Sequence, residues 1–264
     1  MARCDAFRLS GVLSSSGSSR ARIEALNALS YLSDSNGEKI GPCVTEIILS
    51  VTEKGTTSDR ERAMITGITS QVVDTGCEID KPTVADGLIK IVIDSDLEDV
   101  QRAALHAISK IIDENFISSD GFYREIFELQ TRTFDEIVLQ TSAEILKKIS
   151  SSEMNALAMM KLKTLLLEWL NSVISGNDLV LGQACELLSN LTKTEILRNR
   201  ALEIGLDEIL SSFIDSPAPS RVQTKNLLNA LSALELQKRR SNPSVPQSPR
   251  NIPIRSPTMV EIEN

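Results

Sequence analysis

One phrase returns six times along this chain. Aligned as small, x, x, small, aliphatic, small or polar, x, aliphatic, its clear copies begin at Ala25 (ALNALSYL), Ala104 (ALHAISKI), Ala184 (ACELLSNL) and Leu227 (LLNALSAL), with weaker copies at Met64 (MITGITSQ) and Ser142 (SAEILKKI). The spacings are 39, 40, 38, 42 and 43 residues. A fixed period of this size is the mark of a repeat architecture, in which each unit is one supersecondary element. Within each copy the apolar residues recur at three and four positions, the period of a helix face. Ala25 and Ala28, or Ala104 and Ala107, lie one turn apart. Small side chains there let a neighbouring helix approach closely while Leu29 or Ile108 fills the adjoining space.

Further helical stretches lie between the copies, so the chain reads as helix pairs. Helices are expected over 20–33, 38–53, 58–74, 82–93, 96–113, 120–130, 133–150, 153–175, 178–192, 195–214 and 220–237. "SDRE" at 58–61 and "SSEM" at 151–154 offer N-terminal caps with early acids. Pro82 suits a first turn, and "NG" at 36–37 and "SPAPS" at 216–220 break helices between units. A lone helix pair cannot bury both faces. A buried Leu contributes about 1.5–3 kcal/mol, against about 1–2 kcal/mol per residue of backbone ordering. The units must therefore stack and share a continuous apolar seam.

Composition agrees with this all-α reading. Apolar residues make up 41% of the 264-residue chain but aromatics only 3%, which suits helix-on-helix packing. Five of the nine prolines follow residue 238, so body and tail differ in kind. Three segments are expected: a flexible N-terminus over 1–19, a repeat domain over 20–237, and a disordered tail over 238–264. Of the net charge of −8, the tail carries +3 and the rest −11. An acidic body argues against a nucleic-acid partner, which would need clustered Lys and Arg. The longest apolar stretch, 156–175, is interrupted by Lys161, Lys163 and Glu168, so no membrane insertion is expected. The four cysteines are scattered with no C-x-x-C, so a reducing compartment is expected, with Cys185 a core residue. A cytoplasmic or nuclear setting fits. Residues 1–22, with Arg3, Arg8, Arg20 and Arg22 among many serines, bear a weaker likeness to a mitochondrial transit segment.

The pattern resembles armadillo repeats, with HEAT repeats the close alternative. The resemblance is carried best by 184–214, "ACELLSNLTKTEILRNRALEIGLDEILSSFI". There a helix ending in L-S-N-L precedes an R-x-x-A-x-x-x-G turn and a helix containing L-x-x-I-L, with Gly205 at the sharp turn. It covers about 20–237 and is weakest over 114–150, where "GFYREIFELQ" looks irregular. It implies a right-handed α-solenoid whose phrase helices line a concave groove. The third and seventh phrase positions would then face outward: Asn27, Thr66, His106, Glu144, Glu186 and Asn229, then Tyr31, Ser70, Lys110, Lys148, Asn190 and Ala233. From these, the candidate partner-binding residues are Asn27, Tyr31, His106, Lys110, Glu144, Lys148, Glu186, Asn190 and Asn229. The plainer reading is a solvated helix face, on which Glu144 and Lys148 are spaced to pair. Nuclear-import adaptors of the family carry Trp and Asn ladders at these positions. Here only Asn190 matches, and Trp169 falls on the other helix as a core residue, so that role is not expected.

No catalytic constellation is visible. His106 is the only histidine, the cysteines lack ligand spacing, and "SSSGSSR" at 14–20 lacks the lysine of a phosphate loop. No metal or cofactor is expected. The expected function is a non-enzymatic scaffold or adaptor binding a protein or peptide. The alternative, drawn from small members of the family, is a chaperone nucleotide-exchange regulator or a ubiquitin-pathway substrate adaptor. In the tail, Ser241, Ser248 and Ser256 are candidate phosphorylation sites. Arg240, Pro243 and Pro246 have the spacing of a polyproline ligand, so phosphoserine or proline-motif readers are possible partners.

Overall fold

The structure is a computed structural model and describes residues 9, 11–12, 16–52, 57–113, 116–175, 178–215 and 221–241. Its helices are α1 (Ser19–Thr52), α2 (Asp59–Asp74), α3 (Lys81–Asp94), α4 (Glu98–Ile111), α5 (Asp120–Arg132), α6 (Glu136–Ile149), α7 (Glu153–Lys161), α8 (Lys163–Ile174), α9 (Leu181–Asn190), α10 (Glu195–Ile204), α11 (Leu206–Asp215) and α12 (Arg221–Ser241). A short 3-10 turn, Asp178–Val180, leads into α9. No strand occurs among the described residues.

Local chemistry sets five of the starts. Ser58 and Glu61 form a reciprocal capping box: the Glu61 N–H donates to Ser58 Oγ at 3.4 Å and the Ser58 N–H to Glu61 Oε2 at 2.8 Å. Asp80, Ser119, Asp135 and Thr194 accept from backbone N–H groups in the first turns of α3, α5, α6 and α10. Ser152 begins α7 without a side-chain cap, so only half of the "SSEM" expectation holds. Pro82 sits in the first turn of α3 as expected.

The breaks are equally physical. Asn36, at φ −146° and ψ 34°, kinks α1 into the two helices expected over 20–33 and 38–53. The single helices expected over 153–175 and 195–214 are each divided. Leu162, at ψ 44°, separates α7 from α8. Gly205, at φ +85°, ends α10 in a left-handed cap and starts α11.

The topology is a stack. The phrase-bearing helices α1, α2, α4, α6, α9 and α12 each pack on the next, and a second row runs from α1 through α3, α5 and α8 to α11. In the C-terminal half the short helices α7 and α10 pack on each other beside these rows. The units are thus helix pairs toward the N-terminus and triplets toward the C-terminus. One buried apolar cluster runs from Ala25 to Leu234 without a gap between units. In α4, Ala104, Leu105, Ala107 and Ile108 are buried, and in α9 the matching Ala184, Cys185, Leu187 and Leu188. The close approach of the second row is visible at Gly87, where an added Cβ would lie 1.9 Å from Ile48 Cγ2.

The stretch that looked irregular in sequence is regular in space. In α5, Phe122, Tyr123, Ile126 and Phe127 are all buried. Phe127 packs on Trp169 with ring centres 5.8 Å apart. Tyr123 Oη donates to Asn155 Oδ1 at 2.7 Å, and Asn155 Nδ2 donates to the Phe116 carbonyl at 2.6 Å. Burial pushes the Tyr123 phenol up to about 12. Aromatic bulk and buried amides replace the Leu/Ala code of the other units here.

The last helix continues to Ser241, past its expected end at 237. Lys238, Arg239 and Arg240, counted with the tail from sequence, form its final turn, where cations suit the helix C-terminus. Lys238 Nζ reaches Asp207 Oδ2 on α11 at 3.2 Å.

Candidate functional site: the face of the phrase helices

The buried residues of α2 correct the alignment. Ile65, Thr66, Ile68 and Thr69 are buried while Gly67 is exposed. This is the phrase pattern started at Ile65 rather than Met64, so Thr66 faces the core and not the solvent. The weak copy slipped by one because Ile65 and Ile68 hold the places that Ala marks elsewhere, Thr66 and Thr69 hold the aliphatic places, and the small Gly67 mimics the small fourth position. The third position of this unit is then Gly67 and the seventh Gln71, displacing Ser70.

With the register fixed, four of the six seventh positions act together. Gln71 Nε2 donates to Asp34 at 2.5 Å, and its Oε1 accepts from Ser33. Lys110 Nζ reaches Asp74 Oδ1 at 2.7 Å and Ser70 Oγ at 3.4 Å. Lys148 Nζ donates to the Ser109 carbonyl at 3.0 Å. Asn190 Nδ2 donates to Ser150 Oγ at 2.9 Å and the Lys147 carbonyl at 3.3 Å. Each side chain reaches back to the C-terminal end of the preceding phrase helix, where orphan carbonyls and the negative dipole end favour donors and cations. Lys110, Lys148 and Asn190 are therefore braces between units. The signal was in the sequence: donor and acceptor lie one repeat apart, at separations of 40, 39 and 40 residues for the Ser70, Ser109 and Ser150 bonds.

Glu144 does not pair with Lys148 as its spacing suggested. Lys147 takes that place, with Nζ 2.5 Å from Glu144 and 3.5 Å from Glu186 of the next unit. Partial burial works against the Lys147 charge, yet the two carboxylates hold its pKa above the ordinary lysine value.

The remaining candidates stand more openly. Tyr31 is 77% exposed, His106, Glu186 and Asn229 are exposed, and Asn27 and Glu144 are half-buried. Gly67 and Ala103 add an exposed floor of small residues beside His106, and nothing lies within 4 Å of a Cβ placed on Gly67. Trp169 and Cys185 are core residues, as expected. Burial first, and Glu186 second, push the Cys185 thiol up to about 11, so it is held as an inert thiol. Ser241 ends the last helix; Ser248, Ser256, Pro243 and Pro246 lie outside the described residues. Among the described residues no group of three His, Cys, Asp or Glu side chains could hold a metal ion. Nor is any described helix long and apolar enough to cross a membrane.

No protein-family model and no curated protein sequence matches the chain. Solved structures do. A designed armadillo repeat protein superposes over 86% of this chain and 98% of its own, with a TM-score of 0.52 at 14% identity. The fold is that of an armadillo-like solenoid. Two engineered proteins match it similarly, at TM-scores of 0.53 and 0.51, identities of 18% and 17%, and 88% of this chain in each case. They cover 97% and 99% of their own lengths. Identities this low make the likeness one of fold. In this solenoid the sharp turn at Gly205 and the break at Leu162 divide the C-terminal units into triplets. The pairs nearer the N-terminus follow the same row with the short first helix missing.

Proposed function

We propose that this armadillo-like solenoid is a non-enzymatic scaffold that takes an extended segment of a protein partner along its row of phrase helices. The observation that carries the reading is a division of labour on that row. Four of the six seventh-position side chains (Gln71, Lys110, Lys148, Asn190) brace the units, while the third-position residues Gly67, His106, Glu186 and Asn229 stand exposed on consecutive or near-consecutive helices. Such a face offers regularly spaced contacts over several units on a rigid support. The floor of Gly67 and Ala103 leaves room for a backbone to approach. Phosphorylation of Ser248 or Ser256 in the tail belongs to the same proposal, as a means of altering charge near the acidic body.

The test is affinity capture with the full chain, comparing the wild type with the double variant Gly67→Gln, Ala103→Gln. Both positions are exposed, so the helices should keep their circular dichroism. The expected result is loss of a defined set of captured proteins. An unchanged set, with the fold intact, would overturn the reading.

A further inference from the structure

A second surface lies at the other end of the phrase helices, where α4 and α6 begin. Arg102 ties these two starts together. Its Nε donates to Asp135 Oδ1 at 3.1 Å, and its terminal nitrogens reach Glu98 Oε2 at 3.1 Å and Asp99 Oδ1 at 3.2 Å. Leu97 directly precedes Glu98, and Phe134 directly precedes Asp135, the cap of α6. The cluster that joins the helices therefore sets two apolar side chains on one shared edge. Phe134 is 97% exposed, and Leu97 and Ile137 are each 52% exposed.

Phe134 has a local alternative that it does not take. It occupies the position before the helix cap, from which an apolar side chain often folds onto the fourth helical residue. That residue is Leu139, which is 7% exposed and already covered by the core. Phe134 stands clear of it.

The surroundings are anionic. Asp94, Asp96, Glu98, Asp99 and Glu136 are exposed here. Arg102 is the single cation within 94–102 and 134–140, and three carboxylates already engage it; Arg132, two residues before Phe134, is turned to Glu128 of its own helix at 3.7 Å. Apolar points set beside Asp94, Asp96 and Glu136, which no cation pairs among the described residues, complement a ligand with the opposite pattern of charge and the same pattern of apolar groups.

We propose that this edge docks a short segment of a protein partner in which Lys or Arg alternates with large apolar side chains. The apolar groups cover Phe134, Leu97 and Ile137, and the cations meet the flanking carboxylates. The proposal rests on the scaffold reading but uses a surface separate from the Gly67–His106 face, so the two can fail independently.

The experiment is fluorescence anisotropy on the full chain, with a short fluorescein-labelled peptide of alternating Lys and Leu as the probe. Two control peptides carry Glu for Lys, or Ser for Leu. The wild type should bind the probe and neither control. Phe134→Ser with Ile137→Ser should weaken binding by about tenfold or more, as loss of a central anchor does. Gly67→Gln with Ala103→Gln should leave it within about twofold. Failure of the wild type to bind the probe, equal binding of either control, or binding unchanged in the edge variant would overturn the proposal. Loss of binding in the Gly67/Ala103 variant alone would return the probe to the phrase-helix face and leave the scaffold reading standing. A synthetic peptide of residues 242–264 that displaces the probe, or a dimer abolished by the edge variant, would give the edge to the chain's own tail or to a second copy, and would equally overturn it.

Discussion

Trp169 Nε1 donates to Gln130 Oε1 at 3.1 Å, inside the core between α8 and α5. The same amide donates through Nε2 to the Leu139 carbonyl at 2.7 Å and to Ser142 Oγ at 2.6 Å. One buried glutamine thus satisfies three groups on two other helices. Gln130→Met keeps the bulk but strands the indole N–H, while the Leu139 carbonyl keeps its bond from Ser142 Oγ at 3.3 Å. The expected cost is about 1–3 kcal/mol, because an orphaned buried group costs more than a hydrogen bond nets. Urea denaturation followed by the emission of the single tryptophan would report it.

Arg22 and Glu61 form an ion pair at 2.6 Å that is almost wholly buried, with side-chain exposures of 6% and 0%. Burial alone would raise the Glu61 pKa. Hydrogen bonds from Arg22 and from the Ser58 N–H and hydroxyl outweigh it and hold the carboxyl below its ordinary 4.5. The folded pKa lies below the unfolded one. The pair's contribution is therefore fully present above about pH 4.5 and is lost as pH falls through the folded value. Arg22→Met should cost about 3–5 kcal/mol at neutral pH by leaving a buried carboxylate unpaired. The deficit should shrink as the buffer is acidified. A thermal melt series across that range would show a parallel, pH-independent offset if the pair were unimportant.

Thr66 and Thr69 are buried, and their hydroxyls find no hydrogen-bond partner among the described residues. Valine has the same shape without the polar atom. Thr66→Val and Thr69→Val are each expected to stabilise the protein, by about 1 kcal/mol, the lower end of the cost of an unpaired buried hydroxyl. Midpoints of chemical denaturation would rise with an unchanged slope.

Gly87→Ala should be costly although alanine favours helices. Its Cβ would sit 1.9 Å from a methyl of Ile48, so α1 and α3 must part. An expected loss of about 1–3 kcal/mol follows from overpacking. The companion Ile48→Leu, which removes the β-branched Cγ2 methyl while keeping the bulk, should recover part of it, and a double-mutant cycle would measure the coupling.

The repeat, the helix pairing and several helix starts were legible because each rests on a local pattern: a period near 40, small residues one turn apart, a Ser-x-x-Glu cap. The break at Leu162 was not legible, since apolar periodicity runs straight through it, and the turn at Gly205 was legible only through the armadillo resemblance. The α2 register was lost where Ile stands for Ala and Thr for the aliphatic residues. The candidate face was legible as positions but not as roles. A lysine in the seventh place looks the same in sequence whether it greets a ligand or the preceding helix. Distances separate the two, and they assign Lys110, Lys148 and Asn190 to bracing. Phe134 drew no notice in sequence because a single aromatic beside a helix start usually folds onto its own helix.

The reach-back of Gln71, Lys110, Lys148 and Asn190 bears on how the chain is made. Every partner they need has already been synthesised when they emerge, so a nascent chain can close each unit against the one before it without waiting for its C-terminus. Assembly by such short-range steps should be rapid and little dependent on total length.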